Sequence, residues 1–223
     1  MHKIPSAILL PVKIAQVVLL VFTSAIFGCT SSPNEFASRV DQLPYYNEAT
    51  FTPVWFDSQD EVPGDFHQIP SFSLLNQSGD LITEKDLEGK IFVTDFFFTT
   101  CPGICSRMTS NMLLIQEAFL EDEDVLLLSH SVTPEYDSVA ILRSYAEIKG
   151  VVDSKWHLLT GDRREIYDLG RNQYFVEEDL GLEKNPEDFI HTENFVLIDG
   201  SRHIRGIYNG LNKTAVNQLI ADI

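Results

Sequence analysis

Residues Ile91 to Phe98 read Ile-Phe-Val-Thr-Asp-Phe-Phe-Phe, and the chain then carries two cysteines in Cys101-Pro102-Gly103-Ile104-Cys105. Only Thr94 and Asp95 interrupt this run of strand formers. Such a run has no solvent face, so it predicts a strand buried on both sides in the middle of a sheet. Beyond it, Ile104, Met108, Met112, Ile115 and Phe119 make one apolar stripe at helical spacing. Pro102 is expected in the first helical turn, where a missing N–H costs nothing. The acidic cluster Glu121 to Asp124 ends that helix, and Asp124 to Ser129 reads as a second buried strand. Strand, helix, strand predicts a right-handed crossover between parallel strands.

The flanking segments extend the pattern. Phe72–Leu75 and Leu81–Thr83 enclose Asn76-Gln77-Ser78-Gly79-Asp80, a hairpin signal. Thr133-Pro134-Glu135 and Asp137 set up a helix with Val139, Leu142, Tyr145 and Ile148 inward, and Gly150 ends it. Trp156 to Leu159 is a short strand, and Thr160-Gly161-Asp162 starts another helix with Ile166 and Leu169 inward. The acidic stretch Tyr174 to Ile190 lacks periodicity and reads as a long loop, a kind of segment that is often functional. Phe195–Asp199 and His203–Tyr208 form a second hairpin around Gly200, and a helix from Lys213 closes the chain. The order is that of an α/β, thioredoxin-like fold with an N-terminal β-hairpin and an inserted helical and loop segment.

The start of the chain reads as something other than fold. Lys3 and Lys13 precede the apolar run Ile14 to Phe27, which meets Gly28-Cys29. That run is short for a membrane span, which needs about 20 residues, and it fits an export signal. Residues 1–28 are therefore expected to be a signal segment that resembles those of bacterial lipoproteins, with Cys29 acylated; an uncleaved anchor helix is the alternative. Residues 29–60, with Pro33, Pro44 and Pro53, are expected to be a tether whose Tyr45, Tyr46, Trp55 and Phe56 pack on the domain edge, and 61–223 the thioredoxin-like domain. Either anchor places the domain in the cell envelope, attached to a membrane and facing the periplasm or the outside. The net charge of −17 excludes nucleic-acid binding through general electrostatics.

Cysteine usage narrows the chemistry. With Cys29 lipidated, Cys101 and Cys105 can pair only with each other, and in an oxidising compartment they would need a thiol reductant. A helix N-terminus favours thiolate, and thiolate is both a nucleophile for disulfide exchange and a soft ligand suited to Cu(I). The motif alone leaves redox and metal binding open. The three-residue gap lets both sulfurs reach one metal. His130, His157, His191, His203 and Met108 are the candidates for a third ligand. His191 is best placed: it ends the long loop just before a strand, where thioredoxins carry a proline and this chain reads Ile190-His191-Thr192-Glu193. Asp95, six residues before Cys101, is a candidate proton relay and keeps the redox reading alive. Thr99 and Thr100 give weak support for a peroxidase-like alternative.

Several pieces together resemble the Sco/SenC family of copper chaperones: Phe98-Thr99-Thr100-Cys101-Pro102-Gly103-Ile104-Cys105, Ser131-Val132-Thr133-Pro134-Glu135-Tyr136-Asp137, Trp156-His157-Leu158-Leu159-Thr160-Gly161, and His191 ahead of Phe195-Val196-Leu197-Ile198-Asp199. The resemblance runs from about Ile69 to Ile223. It implies a thioredoxin-like fold that binds copper through Cys101, Cys105 and His191. It further implies that the protein delivers copper to the dinuclear centre of cytochrome c oxidase subunit II, or reduces that centre's cysteines. Gly103 stands where many members are acidic, and Ser106 where proline is common; neither change removes a ligand. A membrane-anchored thiol–disulfide oxidoreductase with no part in metal delivery is the alternative.

Overall fold

The computed structural model describes residues 37–57, 61–177 and 188–223. The expected signal segment and Cys29 lie outside these residues. Among the described residues, no helix is long and apolar enough to cross a membrane.

The strand predicted at Ile91 is β5 (Ile91–Phe97), with β1 to β4 before it: Tyr45–Tyr46, Pro53–Val54, Ser73–Leu75 and Leu81–Thr83. After it come β6 (Val125–Ser131), β7 (Trp156–Leu159), β8 (Asn194–Ile198) and β9 (Ile204–Asn209). The main sheet runs β2-β1-β9-β8-β5-β6-β7, so β5 is interior. Strands β5, β6 and β7 are parallel, while β8 and β9 are antiparallel to their neighbours. The hairpin β3–β4 forms its own two-stranded sheet, tied to the end of β7 by a bridge from Leu75 to Thr160.

Side chains alternate across a strand, and this parity sorts the core into two layers. Phe92, Phe96, Leu126 and Leu128 face the hairpin, Ile166, Leu169 and Tyr174. Val93, Phe97 and Leu127 face Cys105, Met108, Met112, Leu142, Val216 and Leu219. The second layer lies under helices α1 (Cys105–Ala118), α2 (Val139–Lys149) and α4 (Lys213–Asp222). The short α3 (Arg163–Asp168) serves the first layer.

Four details differ from the sequence reading. Helix α1 begins at Cys105, with Ile104 as its N-cap, so Pro102 sits in the preceding turn instead of the first helical turn. Ile148 is 81% exposed, and Ala146 is buried in its place. Gly150 does end α2, in the left-handed region that favours glycine (φ 80°). Part of the stretch read as tether joins the sheet: β1 pairs with β9, and Tyr45 packs edge-on against Phe56, Phe66 and His203 under the Arg205 guanidinium. Aromatic area and a cation–π contact outweigh the polar composition there. Finally, α3 runs into a π-turn at Leu169–Gln173, which periodicity does not foretell.

Two buried polar atoms have no partner among the described residues, His130 Nε2 and Tyr174 Oη, and their rings stand 5.4 Å apart. An unpaired buried hydroxyl costs about 1–3 kcal/mol. Tyr174→Phe keeps the ring and removes that cost, so urea unfolding should show it as stable as the parent or more so. A loss of stability would mean that the hydroxyl is paired in solution.

Candidate metal and redox centre

The end of β5 delivers the chain into the turn that carries Cys101, and Cys105 then opens α1. Neither cysteine is in a disulfide; Cys101 is half-buried and Cys105 buried. Cys101 is therefore not a helical residue. It is an acceptor in front of the helix, and the backbone N–H groups of Gly103, Ile104 and Cys105 converge on its sulfur. Burial pushes the Cys101 thiol up, but those N–H groups and the Cys105 thiol outweigh it, and the net shift is down. Cys105 goes the other way, pushed up to about 12 by burial, by donating its proton to Cys101 and by the nearby charges of Cys101 and Asp95, against a donor in the Phe98 backbone. The pair is thus asymmetric, with the more exposed sulfur the one that ionises.

Asp95 lies on the β5 face that carries Cys105, and it is 2% exposed. Burial raises its carboxyl to about 7, in spite of the hydrogen bond it accepts from the Ser129 hydroxyl. Ser129 in turn accepts from Trp156 Nε1 at 2.9 Å. The result is a buried chain from Trp156 through Ser129 to Asp95.

Parity removes His130 from the site. It pairs with Phe96 across β5 and β6, stacks on that ring at 4.8 Å and bonds Thr94 Oγ1 at 3.0 Å, all in the opposite layer from Cys105. Met108 is fully buried in the core stripe. His203 bonds the His67 carbonyl at 2.8 Å, and His157 lies 3.4 Å from Asn76 Nδ2, so both are engaged elsewhere.

His191 is exposed, between Ile190 and Thr192, which are both buried. In an extended segment, inward neighbours turn the residue between them outward. The pins are specific. Ile190 is buried in the first core layer beside Tyr167, and the Thr192 hydroxyl donates to the Val176 carbonyl at 2.6 Å. The π-turn supplies a further fit. A Cβ on Gly170 would stand 2.9 Å from Ile190 Cδ1 and 2.9 Å from Phe96 Cε1, so any larger residue there would push Ile190 or Phe96 from its seat. Phe189, two residues before His191, meets Phe98 edge-on at 5.2 Å, which links this segment to the cysteine turn. Among the described residues, no three His, Cys, Asp or Glu side chains stand close enough together to hold a metal ion.

Sequence reasoning misses Ser129, Gly170 and the hydrogen-bonding part of Asp137, which reads in the sequence as part of a helix start and of the Ser131 to Asp137 family segment. Asp137 is 1% exposed and accepts four hydrogen bonds, from the Thr99 N–H (3.2 Å) and from the hydroxyls of Thr99 (2.5 Å), Ser131 (2.5 Å) and Thr133 (3.1 Å). The only signal in the sequence is the density of Ser and Thr on both sides.

A thioredoxin-like sheet with a cysteine pair where its central strand meets a helix defines a thiol-bearing domain of that class. The chain belongs to the SCO1/SenC family, whose pattern matches residues 61–223. It is similar to a SCO1/SenC family lipoprotein from Bacillus anthracis, with 32% identity and a TM-score of 0.61 over 70% of this chain and 92% of that one. It is also similar to BsSco, a Sco family cytochrome c oxidase assembly protein with a disulfide switch, at 29% identity and TM-score 0.58 over 70% and 91%. Bradyrhizobium japonicum ScoI, solved with copper bound, aligns at 25% identity and TM-score 0.54 over 69% and 97%.

Opposed titrations follow from the buried groups. The folded pKa of Asp95 is raised from 3.8 to about 7, so its contribution is full below pH 3.8 and lost as pH rises through 7. Burial lowers His130 from 6.5 to about 3, so its contribution is full above pH 6.5 and lost on acidification towards 3. Between pH 3.8 and 6.5 the two slopes oppose each other. Asp95→Asn should therefore unmask His130. Urea unfolding of this variant should show stability falling by about 1.4 kcal/mol per pH unit from pH 6.5 to 4, where the wild type is flatter. Equal slopes in the two proteins would refute this.

Proposed function

We propose that this protein is a copper-binding chaperone for cytochrome c oxidase assembly. It takes copper on the thiolates of Cys101 and Cys105 and the imidazole of His191, and it delivers the metal to the dinuclear copper site of subunit II or reduces the cysteines there. The observation that carries this reading is the sulfur pair at the head of α1, with backbone N–H groups aimed at Cys101 and an exposed His191 on a segment tied to the same turn through Phe98 and Phe189. Two soft sulfurs and one imidazole suit Cu(I). His191 would have to turn inward to complete the copper site, and its retreat would lower the ligand count for release. The copper-bound ScoI and the assembly role of BsSco support the reading. The lipoprotein relative, with the Gly28-Cys29 signal, supports a lipid anchor at Cys29 that holds the domain at a membrane in the cell envelope. Residues 29–60 would then lead from that anchor into the domain.

An anaerobic Cu(I) titration with a competing chelator tests the ligand set. His191→Ala is expected to weaken binding by at least about tenfold. Equal affinity would remove His191 from the site.

Asp95 favours a second reading as a thiol–disulfide reductase. Its carboxyl, raised to about 7 on the Cys105 face, is poised to pass a proton as Cys101 attacks a disulfide. Metal-free protein would then reduce a disulfide substrate, and Asp95→Asn would slow the reaction. No turnover would end this reading.

A further inference from the structure

We propose that Asp137 is a positioning residue for the cysteine pair: its carboxylate clamps the turn after β5 to the connection between β6 and α2, and so sets where Cys101 and Cys105 stand. The inference rests on the reading that these two cysteines are the working site.

Its ground is the convergence of donors on one buried carboxylate. Two come from Thr99, two residues before Cys101, through the N–H at 3.2 Å and the hydroxyl at 2.5 Å. Two come from the other side of the gap, through the Ser131 hydroxyl at 2.5 Å and the Thr133 hydroxyl at 3.1 Å. Charge-assisted bonds of this kind are the strong ones. Thr99 cannot shift without breaking them. Phe98, the next residue back, ties to the cysteine turn: its carbonyl accepts from the Cys101 N–H at 3.3 Å, and its backbone lies close enough to Cys105 to lower that thiol. Asp137 touches neither sulfur, so it acts through Thr99 and Phe98.

A loosened turn would let the two sulfurs drift apart. That changes the equilibrium of the pair as well as its grip on a metal, whereas a clamp that served stability alone would change neither. Thr99→Val keeps the shape and the N–H and removes the hydroxyl donor. Thr99→Ser keeps the hydroxyl and serves as the rescue. Asp137→Asn places an amide among the donors and should act in the same direction.

Two readouts on the folded full chain decide the matter. In the first, the Cys101–Cys105 couple is equilibrated with glutathione, where forming the disulfide passes two electrons and two protons to oxidised glutathione and releases two reduced molecules. Thr99→Val should shift this equilibrium about tenfold, or about 30 mV for a two-electron couple. In the second, Cu(I) affinity in competition with a chelator should fall about tenfold. Thr99→Ser should match the wild type in both. Wild-type potential and affinity in Thr99→Val would overturn the proposal, even where Asp137→Asn proves too unstable to measure. If the wild type takes up no Cu(I), the copper reading fails, and the glutathione equilibrium, which needs no metal, still decides the role of Asp137.

Discussion

Replacing Cys105 by serine is expected to lower Cu(I) affinity by at least about 100-fold while leaving Cys101 rapidly alkylated. Loss of an outer-shell partner alone costs about 10–100-fold in metal binding, and loss of a sulfur ligand must exceed that. The second half of the expectation comes from the asymmetry of the pair. The backbone N–H groups of Gly103, Ile104 and Cys105 that lower the Cys101 thiol survive the change, and a serine hydroxyl can still donate where the Cys105 thiol did. Cys101→Ser should also lose the metal, but of the pair it leaves only Cys105, which is buried and pushed up to about 12. A thiol held protonated reacts slowly. Iodoacetamide kinetics near neutral pH, run beside the copper titration, separate the two variants. Similar alkylation rates in both would contradict the asymmetry, and copper retained by either would contradict the two-sulfur site.

Truncating Trp156 to alanine should cost about 3–5 kcal/mol in urea unfolding, among the largest single effects available in this chain. The indole is 1% exposed and lies in the layer between β6 and the helices over Cys105. Its Nε1 also donates to Ser129 Oγ, the group that donates to Asp95. Truncation therefore opens a cavity and frees the far end of a buried polar chain. Trp156→Phe keeps most of the volume and loses only the hydrogen bond, worth about 1 kcal/mol. A Trp156→Ala cost near that of Trp156→Phe would show that the cavity collapses.

Much of the fold is readable from local pattern. The buried strand, the two hairpins, the stripe on α1 and the Gly150 stop are legible because each rests on short-range periodicity or one residue's backbone preference. The start of α1 is not. Pro102 fits a first helical turn as well as a tight turn, and the choice falls to the N–H groups that converge on Cys101. The inward place expected for Ile148 fails because Ala146 lies closer to the sheet, a matter of how α2 is rotated as it packs. Likewise, the strands within the expected tether form where β9 offers an edge and Arg205 a cation over the Tyr45 ring.

Covalent order is enough to show the chemistry at hand: two thiols where a buried strand meets a helix, a histidine before a later strand, and an aspartate six residues upstream of Cys101. Residue types and short spacings carry that much, because they follow from covalent order. Which of these groups share a face depends on how the strands pair and the helices pack. Strand parity put Asp95 in the layer of Cys105 and His130 in the opposite one, though the two residues stand in neighbouring strands. It also turned Asp137 from a helix-start residue into the anchor of the cysteine turn. Its four donors lie between 4 and 38 residues away in sequence, and only the pairing of β5 with β6 brings them to one carboxylate.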